Sequence, residues 1–126
     1  ENGTLPTNPP SPYLRFHPNS APIAKVILLH GLNGNKQFMQ PFGMALAEAG
    51  FEVYAFDLPG HGDSSASFTF DLSSLMVESI IEHVGVESFI VGHSLGAGLL
   101  IDLAPTQPLG KVVLLSPAPV PLEPQH

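Results

Sequence analysis

Apolar and polar residues alternate along this chain in blocks of two kinds. Short apolar runs occur at Val26-Ile27-Leu28-Leu29, Phe51 to Phe56, Phe89-Ile90-Val91 and Val112 to Leu115. Such runs suit strands buried on both faces of a parallel sheet. Between them the apolar spacing becomes helical. Gln37 to Ala49 carries Phe38, Phe42, Leu46 and Ala49, and Gly50 stops it. Pro41 fits this helix only in its first turn. Leu72, Leu75, Met76, Ile80 and Val84 form a second helical pattern, closed by Gly85, with Asp71 as its predicted cap. A third apolar helical stretch runs on from Leu95 to Pro105. The Phe and Met residues of the first two helices are expected in the core, and Val112 to Leu115 as a last buried strand.

Strand and helix therefore alternate three times. That order predicts an α/β fold with right-handed crossovers, a mostly parallel sheet and helices on both faces. The two ends read differently. Residues 1–22 are a Pro-rich arm, flexible or extended because Pro6, Pro9, Pro10 and Pro12 block helix, with a short edge strand at Tyr13 to His17. Residues 23–116 carry the alternating pattern, and residues 117–126 are a Pro-rich tail.

Composition narrows the function classes. The 126 residues suffice for one domain, and 44% apolar content gives material for a core. Four Lys plus Arg against 11 Asp plus Glu leave a net charge of -7, which argues against nucleic acid or an anionic membrane surface as partner. No apolar run is long enough for a transmembrane segment, and no stretch has a signal-peptide layout. A soluble protein is expected, cytoplasmic rather than secreted. The chain has no Cys, so disulfides and thiolate zinc sites are excluded. His30, His61 and His93 lack the close spacing of a helical metal pair, so neither a metal nor another cofactor is expected. Asn2-Gly3-Thr4 matches a glycosylation acceptor and reads as an accidental match.

The candidate chemistry lies at Gly92-His93-Ser94-Leu95-Gly96, which fits G-x-S-x-G. A strand precedes it and a helix follows it, the context a nucleophile elbow requires. The residues two before and two after the Ser must lack bulk, and here both are Gly. The turn exposes the Ser side chain at a helix N-terminus, where the dipole favours developing negative charge. Taken alone, the five-residue pattern is weak, and an incidental Ser in a Gly-rich turn is its bland reading.

Two further motifs raise its weight. His30-Gly31 follows a buried strand, and Asp57-Leu58-Pro59-Gly60-His61-Gly62, with Ser64, follows the next. With these three motifs in order, each at a strand end, Lys25 to Ser116 resembles an α/β-hydrolase, similar to monoacylglycerol-lipase-like and small carboxylesterase-like members. The resemblance implies a serine hydrolase of small-molecule esters with Ser94 as nucleophile. It also implies an oxyanion hole from the backbone N–H groups of Leu32 and Leu95. His30 is expected to shape the oxyanion loop, His61 to be structural, His93 to point away from the Ser, and Asp57 to tie down its own loop rather than serve as a triad acid.

The resemblance covers only the N-terminal part of such a fold, whose later strands and helices have no counterpart here. In the family's order the acid and then the His follow the Ser. After Ser94 the ionisable candidates are Asp102, Lys111, Glu123 and His126. Asp102 falls on the helix behind the Ser, Glu123 lies in a Pro-rich setting, and His126 is the last residue. The acid and His are therefore expected from a C-terminal part or a second chain. In the family's strand order the outer edge of Val112 to Leu115 is left open and apolar, so a second polypeptide or self-association is expected to cover it. A binding or interaction module that keeps the fold without turnover is the competing reading. Thioester hydrolysis, C–C bond hydrolysis and acyl transfer share the same nucleophile and are not separated from ester hydrolysis by these residues.

Overall fold

The computed structural model describes residues 1–106 and 109–115. Six strands form one sheet in the order β1-β2-β4-β3-β5-β6. They are β1 (Asn2–Leu5), β2 (Ser11–Phe16), β3 (Lys25–Leu29), β4 (Glu52–Phe56), β5 (Phe89–His93) and β6 (Val112–Leu115). β3 pairs in parallel with β4 and β5, and β5 with β6. β1 and β2 form an antiparallel hairpin, joined antiparallel to β4. The Pro-rich arm is thus extended, but the strand at Ser11–Phe16 lies inside the sheet and β1 takes the edge. The Pro residues between β1 and β2 block helix without preventing strand pairing.

The unbroken apolar run of β3 is buried on both faces, as expected. Ile27 and Leu29 of β3 face a core built with α2 (Phe70–Val84) and α3 (Leu95–Leu103). Val26 and Leu28 face the opposite side, where Met39 and Leu46 pack. Helix α1 (Gln40–Glu48) covers that second face, preceded by a 3₁₀ turn at Lys36–Met39, and Pro41 sits in its first turn.

Four expectations about burial and capping need correction. Phe38, Phe42 and Met44 are exposed rather than core. The helix approaches the sheet at Gly43, where an added Cβ would stand 2.6 Å from the Phe16 ring, so Met39 and Gly43 mark the inward face. Leu75 is also exposed, because α2 turns Met76, Val77, Ile80, Ile81 and Val84 to the core. Thr69, not Asp71, caps α2: its hydroxyl accepts from Leu72 N–H at 2.9 Å. Finally, β6 is not buried. Its Val113 and Leu114 side chains are 48% and 39% exposed, since no described strand lies beyond it.

Candidate active site

The parallel strands β3, β4 and β5 end side by side, which brings three loops together. At the end of β5 the chain turns directly into α3 through Ser94. This residue has φ 53° and ψ -109°, a conformation rare outside Gly and costing about 1–3 kcal/mol. The turn closes only because its neighbours lack side chains. A Cβ on Gly92 would stand 2.7 Å from Ala97 N, and one on Gly96 would stand 2.7 Å from the Leu29 carbonyl oxygen. Ser94 N–H donates to the Leu115 carbonyl at 2.9 Å, and its carbonyl accepts from Gly98 N–H at 3.0 Å. The side chain is half-buried and does not cap α3.

The loop after β3 lies against this turn. A Cβ on Gly31 would stand 3.0 Å from Ser94 Cβ, so the Gly31 backbone touches the serine directly. Leu32 follows. Among the described residues, neither Leu32 N–H nor Leu95 N–H has a hydrogen-bond acceptor. Asn33 N–H, by contrast, donates to His61 Nε2 at 3.0 Å, and Gly34 N–H to the Gly31 carbonyl at 3.0 Å.

Two buried histidines join this loop to the one after β4. His30 Nδ1 donates to the Gly31 carbonyl at 2.7 Å, and its Nε2 accepts from Leu58 N–H at 3.0 Å. His61 Nδ1 donates to the Pro59 carbonyl at 2.9 Å. These partners assign both rings as neutral, with the proton on Nδ1. Burial, opposed by the Gly31 contact, lowers the His30 pKa to about 4. His30 thus links the Gly31 carbonyl to Leu58 N–H, and His61 links Asn33 N–H to the Pro59 carbonyl.

Asp57 ties more than its own loop. It accepts from Asp63 N–H at 2.9 Å, from Lys36 N–H at 2.7 Å and from Lys36 Nζ at 2.6 Å. Lys36 and Asp63 were not singled out by the sequence. Asn35-Lys36-Gln37 reads as a polar loop, and nothing in its spacing shows that the Lys turns inward.

Neither His93 nor Asp102 hydrogen-bonds the serine. His93 packs against Phe38 with ring centroids 5.7 Å apart, and its buried Nδ1 has no partner among the described residues. Asp102 is exposed on α3. Glu123 and His126 lie outside the described residues. No described residue makes a hydrogen bond with the Ser94 hydroxyl, and no group of three or more His, Asp or Glu among the described residues could hold a metal ion.

A family model described as serine aminopeptidase, S33, matches residues 20–124. The chain belongs to this family. It is an α/β-hydrolase in fold, of which 126 residues form a part. The synthase of 2-succinyl-6-hydroxy-2,4-cyclohexadiene-1-carboxylate from Enterobacter sp. (strain 638) is 31% identical over 93 residues, covering 71% of this chain and 35% of that protein. Among solved structures, a thioesterase domain from the curacin biosynthetic pathway superposes with a TM-score of 0.80 at 25% identity, covering 98% of this chain and 48% of its own. The monoacylglycerol lipase of Paleococcus ferrophilus gives a TM-score of 0.71 at 33% identity, over 83% of this chain and 42% of its own. The chain of this S33 member thus spans less than half of each of these relatives. None of its described helices is long and apolar enough to cross a membrane.

Proposed function

We propose that this chain carries the nucleophile and oxyanion hole of a serine hydrolase acting on small-molecule esters. The observation that carries the reading is Ser94 itself. A non-Gly residue is held at φ 53° between two glycines that cannot be larger, with Leu95 next in the chain and Leu32 following the Gly31 that meets it, both amides without an acceptor among the described residues. Strain of this kind persists where the surroundings enforce it, and it lifts the hydroxyl away from the helix.

In the proposed reaction Ser94 Oγ forms a bond to the ester carbonyl carbon and passes its proton to a base. The carbonyl electrons move to oxygen, and the Leu32 and Leu95 N–H groups donate to that oxyanion. When the carbonyl re-forms, the alkoxy group leaves with the proton, and water then releases the acid from the acyl-enzyme. One such donor is worth about 3 kcal/mol in the transition state. The base and its acid partner come from a C-terminal part or a second chain, and the open side of β6 is where that part adds to the sheet. Without a base the loss in turnover is on the order of 10⁴-fold. Leu32 and Phe38, 57% and 61% exposed, give the site an apolar rim that fits a hydrocarbon acyl group. The lipase relative supports an ester, and the thioesterase relative keeps a thioester as the nearest substitute.

A fluorophosphonate probe tests this on the complete protein. The expected result is covalent label on Ser94, abolished in Ser94→Ala. A folded, complete protein that takes no label would overturn it. A second reading, a binding module without turnover, is favoured by the absence of any described partner for the Ser94 hydroxyl. It predicts that Ser94→Ala leaves the biological activity intact.

A further inference from the structure

We propose that Lys36 is a positioning residue for the Leu32 amide, acting through Asp57 and Asp63. The inference rests on the reading of Leu32 N–H as an oxyanion donor beside Ser94. Lys36 is 2% exposed, and its Nζ donates to Asp57 and to Asp63, each at 2.6 Å. Asp57, fully buried, accepts in addition from the backbone N–H groups of Lys36 and Asp63. The three residues therefore form a closed ring that clamps the loop after β3 onto the loop after β4.

A buried ion pair is a poor source of net stability, because desolvation cancels most of the attraction. Fixing two loops in one relative position is a different matter, and the loop that is fixed here is the one that touches Ser94. Its near end is held by His30 on the Gly31 carbonyl, its middle by His61 on Asn33 N–H, and its far end by Lys36. Asn33, Gly34 and Lys36 N–H are all committed inward, whereas Leu32 N–H has no described acceptor. His61, the Gly31 carbonyl and the clamp thus take the amides of Asn33, Gly34 and Lys36 in turn, and the Leu32 amide is left to the substrate. An oxyanion donor must stand about 2.7–3.1 Å from the developing charge, so a loop free to drift by half an ångström or so loses much of its effect. Burial works against the Lys36 ammonium, and its hydrogen bonds to Asp57 and Asp63 outweigh that, raising its pKa. The Lys36 ammonium therefore stays charged at neutral pH.

Three variants of the complete protein test the assignment: Asp63→Asn, Lys36→Gln and Lys36→Arg. The readouts are the rate of fluorophosphonate labelling, kcat and KM on p-nitrophenyl butyrate, and deuterium uptake of residues 31–36. Asp63 is 77% exposed, so Asp63→Asn removes one arm of the clamp without a buried vacancy. It is expected to lower kcat and labelling about 3- to 10-fold, with KM within about twofold and faster uptake in the loop. Lys36→Gln is expected to lose about 30-fold or more, and Lys36→Arg to recover part of it. If Lys36→Gln fails to fold, Asp63→Asn decides the matter. Unsubstituted protein that labels while Asp63→Asn labels equally fast overturns the inference alone. Unsubstituted protein that takes no label overturns the reading of Ser94, and the inference falls with it.

Discussion

The two flanks of Ser94 are built in opposite ways. On the side of β3 and β4, buried polar groups are answered one by one: His30, His61, Asp57 and Lys36 all have partners within 3.0 Å. On the side of β6, Val113 and Leu114 are exposed, and no described residue hydrogen-bonds the serine hydroxyl. The difference separates two halves of one chemistry. The amides proposed to stabilise negative charge belong to this chain, and the loop that carries Leu32 is tied down by its own hydrogen bonds. None of its described residues hydrogen-bonds the serine hydroxyl to take its proton. Preorganised donors need a fixed frame, which short loops between parallel strands supply. In the proposed reaction the proton acceptor reaches the hydroxyl from another direction, the side of β6, where no described strand follows.

The largest way to break this contrast is acid. His30 is neutral, accepts from Leu58 N–H, and has its pKa lowered to about 4 against 6.5 for the free side chain. The unfolded chain takes up this proton first as the pH falls. Stability is therefore complete above pH 6.5 and falls between 6.5 and 4, by about 3 kcal/mol in all at 1.36 kcal/mol per unit. Urea unfolding at pH 7.5, 5.5 and 4 measures it, with His30→Gln as the reference that lacks this titration. Equal pH slopes in the two proteins would show that the rigid flank does not depend on a neutral His30.

The next effect tests the serine turn. In Gly96→Ala the new methyl group would stand 2.7 Å from a backbone oxygen of β3. Overpacking of this kind costs about 1–3 kcal/mol. The expected outcome is a lower melting temperature together with slower phosphonate labelling of Ser94. Labelling that survives unchanged would mean that the serine geometry does not depend on the close approach of α3 to β3.

The parts of this arrangement that could be read from sequence are those with a period or a fixed spacing. β3 and β5 are legible because a strand buried on both faces needs every residue apolar. The serine turn is legible because two glycines must flank it. The clamp was hidden because Lys36, Asp57 and Asp63 meet across 27 residues of chain, and a lone Lys in a polar loop has the appearance of a solvated one. The exposed Phe38 and Phe42 misled for a related reason. Helical spacing locates a stripe, but the close packing of Gly43 on Phe16 decides which side of it turns inward.

The smallest effect marks where the rigid flank ends. Thr69 caps α2 at the far end of the β4–α2 connection, with its side chain exposed and accepting from Leu72 N–H at 2.9 Å. Thr69→Ala removes that acceptor and is expected to cost about 1 kcal/mol. Ser73 hydroxyl donates to the Thr69 carbonyl, which the substitution leaves in place, so the start of α2 keeps part of its anchorage. Because Asp57, His61 and Asp63 are fixed to the β3 loop and not to Thr69, the labelling rate of Ser94 should stay within about twofold of the parent. A fall in labelling as large as that of Asp63→Asn would extend the clamp through the whole connection to α2, and would make the helix cap part of the frame that holds the Leu32 amide.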